Sequence, residues 1–109
     1  MLKYHSKKVE VDGIIFDSKR EAKRYQELKL LERAGAIKDL ELQPVFELQP
    51  SFKKNGKTHR AITYKADFMF TTSEGDCIIE DVKGYKTEVY KIKKKLFEYK
   101  YPEYTIKEI

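Results

Sequence analysis

Two aspartates and a lysine interrupt an otherwise apolar stretch, YKADFMFTTSEGDCIIEDVKG, from Tyr64 to Gly84. Asp67 stands among Ala66, Phe68, Met69 and Phe70, while Asp81 and Lys83 follow Ile78, Ile79 and Glu80. The stretch reads as a strand from Ile62 to Thr71, a turn from Thr72 to Asp76 and a return strand from Cys77 to Lys83. Side chains alternate faces along a strand. Lys65, Asp67 and Met69 therefore share one face, and Ala66, Phe68 and Phe70 the other. On the return strand Ile79, Asp81 and Lys83 share a face, opposite Ile78, Glu80 and Val82. A turn centred on Glu74 sets Asp67 across from Asp81, with Cβ atoms about 4.5–5.5 Å apart. Carboxylates at that separation repel one another and destabilise a sheet. A divalent cation between them turns the repulsion into binding, and oxygen-only ligands suit Mg²⁺ or Mn²⁺. Lys83 then places an ammonium where charge gathers on a phosphoryl group under attack. The structural alternative is a Lys83–Asp81 surface pair contributing at most about 1 kcal/mol. Glu80, on the face of Phe68 and Val82, is expected to have a structural partner.

A further acid lies upstream. Ser18-Lys19-Arg20-Glu21 fits a helix-capping box, in which Glu21 bonds back to the Ser18 amide. On a helical wheel, however, Glu21 falls between Tyr25 and Leu28, inside an arc that also holds Ala22 and Leu31. A carboxylate within a core-facing arc is costly without a partner, and the start of this helix can carry it to Asp67 and Asp81.

The elements that must position these groups follow in order. Asp12-Gly13 between β-prone residues marks a hairpin over Val9 to Phe16. A helix follows from Lys19 to about Ala34, stopped by Gly35. Ile37 to Leu42 is a short strand ended by Pro44, and Val45 to Phe52 another, with Pro50 marking an edge or bend. Asn55-Gly56 centres a basic turn. After the aspartate-bearing strands, Thr87 is an N-cap for a helix from Glu88 to about Lys100. Val89, Ile92, Leu96 and Tyr99 form its apolar face. Pro102 ends it, and Tyr104 to Ile109 is a last strand. The layout is α+β, with a mostly antiparallel sheet flanked by helices.

At 109 residues the chain is long enough for one modest core. Hydrophobic residues make up 40%, enough to fold despite a charged fraction of 38%. The net charge of +5 favours polyanionic partners without requiring them. A single cysteine, Cys77, excludes an intrachain disulfide and a cysteine-rich zinc cluster; within its strand it is expected to be a small core residue. No stretch approaches a membrane span, and MLKYHSKKVEV lacks the apolar region of an export leader, which points to the cytoplasm. His5 and His59 are isolated, and no chemistry is assigned to them.

A glutamate on a first helix, then Asp67, then Asp81-Val82-Lys83, resembles the PD-(D/E)XK nuclease superfamily. FDSKREAKRYQEL, LELQPVFEL, YKADFMF and EDVKGYKTEVYKIKKKLFE resemble, more closely, small phage and prophage proteins of that superfamily that have no assigned function. The similarity runs from about Val9 to Tyr104. It implies a restriction-endonuclease-like αβββαβ core, in which Glu21, Asp67, Asp81 and the Val82 carbonyl bind metal and Lys83 assists catalysis. Ala66 stands where the superfamily motif has proline, a mild departure. Gln43 falls where related nucleases carry a glutamine near the site. The resemblance extends to Holliday junction resolvases, which implies DNA as partner, including branched DNA, and a phage- or prophage-encoded protein at work in a bacterial host.

Basic side chains supply candidate nucleic-acid contacts. Lys91, Lys94 and Lys95 form a stripe on the second helix, and Lys86 and Thr87 follow the catalytic strand. Lys54, Lys57 and Arg60 mark a basic turn that would reach a groove. One active site per copy implies a homodimer for paired cuts. The expectation is a Mg²⁺-dependent endodeoxyribonuclease. The alternative is a nucleic-acid-binding module that does not cut, and an RNA substrate is a third reading.

Overall fold

A computed structural model describes residues 7–109, so His5 lies outside the described residues. Strands β1 (Val9–Val11) and β2 (Ile14–Phe16) form the expected hairpin. Its turn residues, Asp12 and Gly13, both have positive φ, as a tight two-residue hairpin requires. Helix α1 (Lys19–Arg33) starts at Ser18, whose hydroxyl accepts a hydrogen bond from the Glu21 amide at 3.1 Å. It buries Glu21, Ala22, Tyr25 and Leu28, while Leu31 remains exposed. Tyr25 packs on Phe16 and donates its hydroxyl to Asp12, fastening the helix to the hairpin.

The chain continues through β3 (Ile37–Leu42), β4 (Val45–Gln49), β5 (Phe52–Lys54), β6 (Lys57–His59), β7 (Ile62–Lys65), β8 (Phe68–Thr72) and β9 (Cys77–Asp81). Helix α2 (Glu88–Lys100) and strand β10 (Ile106–Glu108) complete it. A four-stranded sheet has the order β10-β9-β8-β3. The β8–β9 pair is antiparallel and has the register expected from the turn, with Phe68 opposite Glu80 and Met69 opposite Ile79. β10 runs parallel to β9, and α2 supplies the long crossover that a parallel neighbour needs. The architecture is α+β, with mixed, mostly antiparallel sheets and an N-terminal hairpin.

Each face of the sheet has its own core. On one, Phe68 and Phe70 pack with Phe16, Ala22, Tyr25, Leu28 and Ile37. On the other, Ile79 and Ile106 pack with Tyr64, Ala66, Tyr90 and Phe97. Phe97 is fully buried in an aromatic cluster, with ring centroids 4.9 Å from Phe46, 5.1 Å from Tyr101 and 5.5 Å from Tyr64.

Several expectations are corrected. Val45 to Phe52 is not one strand, because Pro50 and Ser51 separate β4 from β5. Ile62 to Thr71 breaks at Ala66 and Asp67: β7 pairs with β4, whereas β8 pairs with β3 and β9. Ala66 consequently joins the core of Tyr64 and Ile79 rather than that of Phe68. The return strand ends at Asp81, so strand alternation does not place Lys83, and Cys77 at its start is exposed. Helix α2 buries Tyr90 and Phe97; Val89, Ile92, Leu96 and Tyr99 face outward. The aromatic cluster decides that orientation, since it offers Phe97 a closed set of ring partners. Among the described residues no helix is long and apolar enough to cross a membrane.

Candidate functional site

The break between β7 and β8 is what presents Asp67. The Ala66 amide bonds to the Pro44 carbonyl at 3.1 Å, and the Gln43 amide bonds to the Asp67 carbonyl at 2.9 Å. The Asp67 amide turns the other way, to the Glu80 carbonyl at 3.1 Å. With its backbone fixed on both sides, Asp67 receives the Val82 amide on Oδ2 at 2.7 Å. Gln43 thus stands beside the site through its backbone, in the left-handed region at φ 52°, with its side chain exposed.

Asp81 ends β9 and is 1% exposed. The Tyr64 hydroxyl hydrogen-bonds to its Oδ2, and Lys83 Nζ lies 3.4 Å from its Oδ1. Glu21, in the first turn of α1, is buried and interacts with the Asp67 side chain and, by charge, with Asp81. Asp67 interacts in turn with the Asp81 side chain. The three acids expected to converge therefore lie within interaction range of one another, with Asp67 between the other two. Among the described residues no group of three or more His, Cys, Asp or Glu is disposed to hold an ion.

The electrostatics follow from that crowding. Burial first, and then the hydrogen bond with Asp81, push the Asp67 carboxyl up to about 8; the Val82 amide opposes this. Glu21 is also raised, chiefly by burial and next by the charge of Asp17. Its hydrogen bond with Asp67 and the charge of Lys65 pull the other way. Burial and the bond to Asp81 raise the Tyr64 hydroxyl, which therefore stays a donor. With its carboxyl pushed up to about 8, Asp67 favours its protonated form at neutral pH.

Lys83 has a platform of its own. Its Nζ sits 4.3 Å from the centroid of the Tyr90 ring, a cation–π contact that attracts the ammonium. Tyr90 donates its hydroxyl to Glu108 at 2.7 Å, and Lys86 and Lys94 lie 3.0 Å and 3.4 Å from the same carboxylate. The Tyr90 hydrogen bond, followed by that from Lys86, lowers Glu108 to about 2. Glu80 has the structural partner expected of it. Arg24 grips it with two bonds of 2.8 Å and 2.6 Å, and the Arg24 guanidinium is held still more firmly in its charged form.

The remaining candidates do not join the carboxyl cluster. Thr87 caps α2, its hydroxyl accepting from the Tyr90 amide at 3.0 Å. Lys91 pairs with Glu88 at 3.3 Å, so Lys86, Lys91 and Lys94 all have carboxylate partners within the fold. Lys95 is exposed, and among the described residues no carboxylate pairs with it. Lys54 and Lys57 lie on the separate β5–β6 hairpin, and Arg60 follows it; all three are exposed. Sequence reasoning missed Tyr64, Tyr90 and Arg24. Tyr90 and Phe97, seven residues apart, were a legible second stripe on α2. The link from Arg24 to Glu80 spans 56 residues, and no local signal reports it.

One protein-family profile, described as Protein of unknown function (DUF1064), matches residues 1–109. No curated protein and no solved structure matches the chain.

Proposed function

The chain belongs to the DUF1064 family of proteins of unknown function, and from its site we propose that it is a Mg²⁺- or Mn²⁺-dependent endonuclease that hydrolyses DNA phosphodiester bonds. The observation that carries this reading is the convergence of Glu21, Asp67 and Asp81 beside the Lys83 ammonium. Three buried or half-buried carboxyl groups in mutual contact are an unfavourable arrangement in the absence of positive charge. The donor set is all oxygen and suits a hard divalent cation. Glu21, Asp67, Asp81 and the Val82 carbonyl would hold the ion, with Asp67 giving up its proton. A bound cation supplies positive charge against the charge that develops on the phosphoryl oxygens.

The chain's own residues do the rest. Tyr64 and Lys83 hold opposite oxygens of Asp81 and fix its orientation. Tyr90 sets the height of the Lys83 ammonium, which stabilises the phosphoryl group as water attacks phosphorus and the P–O3′ bond breaks. With β1–β2 and β4–β7 taken as additions, the succession α1, β3, β8, β9, α2, β10 is compatible with the αβββαβ order of a PD-(D/E)XK core, which supports that kinship. By the same kinship the substrate is branched DNA in phage recombination or replication, in the cytoplasm of a bacterial host. Cutting both strands of a junction takes two copies, as a homodimer.

The second reading is a nucleic-acid-binding module without cleavage, whose basic surfaces would hold DNA while Lys83 serves only as the ion-pair partner of Asp81. Incubation with supercoiled plasmid and four-way junction DNA separates the two. The nuclease cuts with Mg²⁺ or Mn²⁺, stops with EDTA and loses at least 10²-fold in rate in Asp81→Asn, on the order of a lost electrostatic contact in a transition state. Binding without cutting under every metal condition leaves only the module.

A further inference from the structure

We propose that the DNA strand beside the carboxyl cluster lies in a basic cleft between α1 and the end of β9, its phosphates met by Lys19, Arg20 and Lys23. The inference rests on DNA as the substrate and locates its path, which the charges of α2 had suggested lay elsewhere.

Two hollows meet at Arg20. One, of about 210 Å³, is walled by Arg20, Lys23, Arg24, Glu27, Val82 and Ile109, so its cations outnumber the Glu27 carboxylate. The other, of about 310 Å³, is walled by Lys7, Ser18, Lys19 and Arg20. Val82, which lines the first hollow, donates its amide to Asp67, and Arg20 donates to the Lys83 carbonyl. Through these two residues the cleft adjoins the carboxyl cluster.

The charge balance favours this surface over the lysines of α2 that have carboxylate partners. Arg24 is neutralised by Glu80 and Glu27. On α2 and its lead-in, Lys86 and Lys94 share Glu108, and Lys91 is paired with Glu88. Lys19 and Lys23 are exposed, and among the described residues neither has a carboxylate partner. Arg20 is held by two backbone oxygens, that of Lys83 at 3.3 Å and that of Ile109 at 2.9 Å. They orient the guanidinium, which is exposed and keeps further donors for phosphate. Lys19 and Lys23 stand one helical turn apart, about 6 Å along the axis. At about 3.4 Å of rise per nucleotide of one strand, that distance spans two phosphates.

The test measures binding without cleavage. Fluorescence anisotropy with a labelled duplex and a labelled four-way junction is recorded in EDTA across a salt series. Replacing both Lys19 and Lys23 by Ser is expected to weaken binding about tenfold. The slope of log affinity against log salt should fall by about 1.8, at 0.9 per lost phosphate contact. Lys91→Ser with Lys95→Ser should change the slope by less. In the wild-type protein, DNA should shield Lys19 and Lys23 from amine acylation while leaving Lys38 reactive, a readout that needs no variant. An unchanged slope together with unshielded Lys19 and Lys23 overturns the proposal, as does wild-type protein that binds neither DNA. Binding through the cleft by a protein that never cuts would leave this proposal standing and remove the nuclease reading.

Discussion

Asp67 holds a proton at neutral pH because it is sheltered from water and leans on Asp81. Its folded value of about 8 exceeds the ordinary 3.8. Between those values the folded chain retains a proton that the unfolded chain releases, so metal-free stability should fall as pH rises from about 4 to about 8. A cation competes with that proton. Thermal melts should therefore show a larger Mn²⁺-induced rise at pH 8.5 than at pH 6; equal rises would contradict the assignment. Asp67→Asn removes the buried charge while its amide oxygen still accepts from Val82. Metal-free Asp67→Asn should gain about 1 kcal/mol at pH 8.5, discounted for the half-exposed carboxyl, and lose the Mn²⁺ response.

At the scale of elements, the helix α2 makes the sharpest stability prediction. Phe97→Ala should cost about 3–5 kcal/mol in denaturant unfolding, as a large buried ring does. Ile92→Lys on the exposed stripe should change stability by no more than about 0.5 kcal/mol. The reverse ranking would mean that α2 presents its other face to the sheet. Across the opposite layer, Arg24→Met strands Glu80 in the interior and should cost about 3 kcal/mol, most of it recovered by adding Glu80→Leu. These elements also show what a sequence can reveal. The β8–β9 register was legible because the Thr72–Asp76 turn leaves one pairing that keeps Phe68 and Phe70 inside. The end of α1 was legible because Gly35 adopts φ 78°. Which face of α2 turns inward was not, because the helix carries an aliphatic and an aromatic stripe on different arcs and only the partners from β4, β7 and the C-terminal segment choose between them. Nor was the switch at Ala66, where the hydrophobic alternation continues while the backbone changes sheets.

The whole molecule measures 54 × 42 × 23 Å. One small sheet, β5–β6, is paired only with itself, and its Phe52 and His59 rings stack at 4.6 Å. Its exposed cations contribute little to folding: replacing Lys54, Lys57 and Arg60 by Ser should leave the unfolding free energy within about 0.5 kcal/mol per site. The same change should weaken DNA binding evenly across sequences, as loss of phosphate contacts does. The acids of the site were legible from spacing, yet Tyr64 and Tyr90, which hold Asp81 and Lys83 in place, come from segments that meet only on folding. Whether Glu21, Asp67 and Asp81 serve one cation is tested most directly by diffraction from crystals soaked in Mn²⁺, recorded at a wavelength where manganese scatters anomalously. The account predicts an anomalous peak in coordination contact with Asp67 and Asp81. An empty site at saturating Mn²⁺ would contradict it.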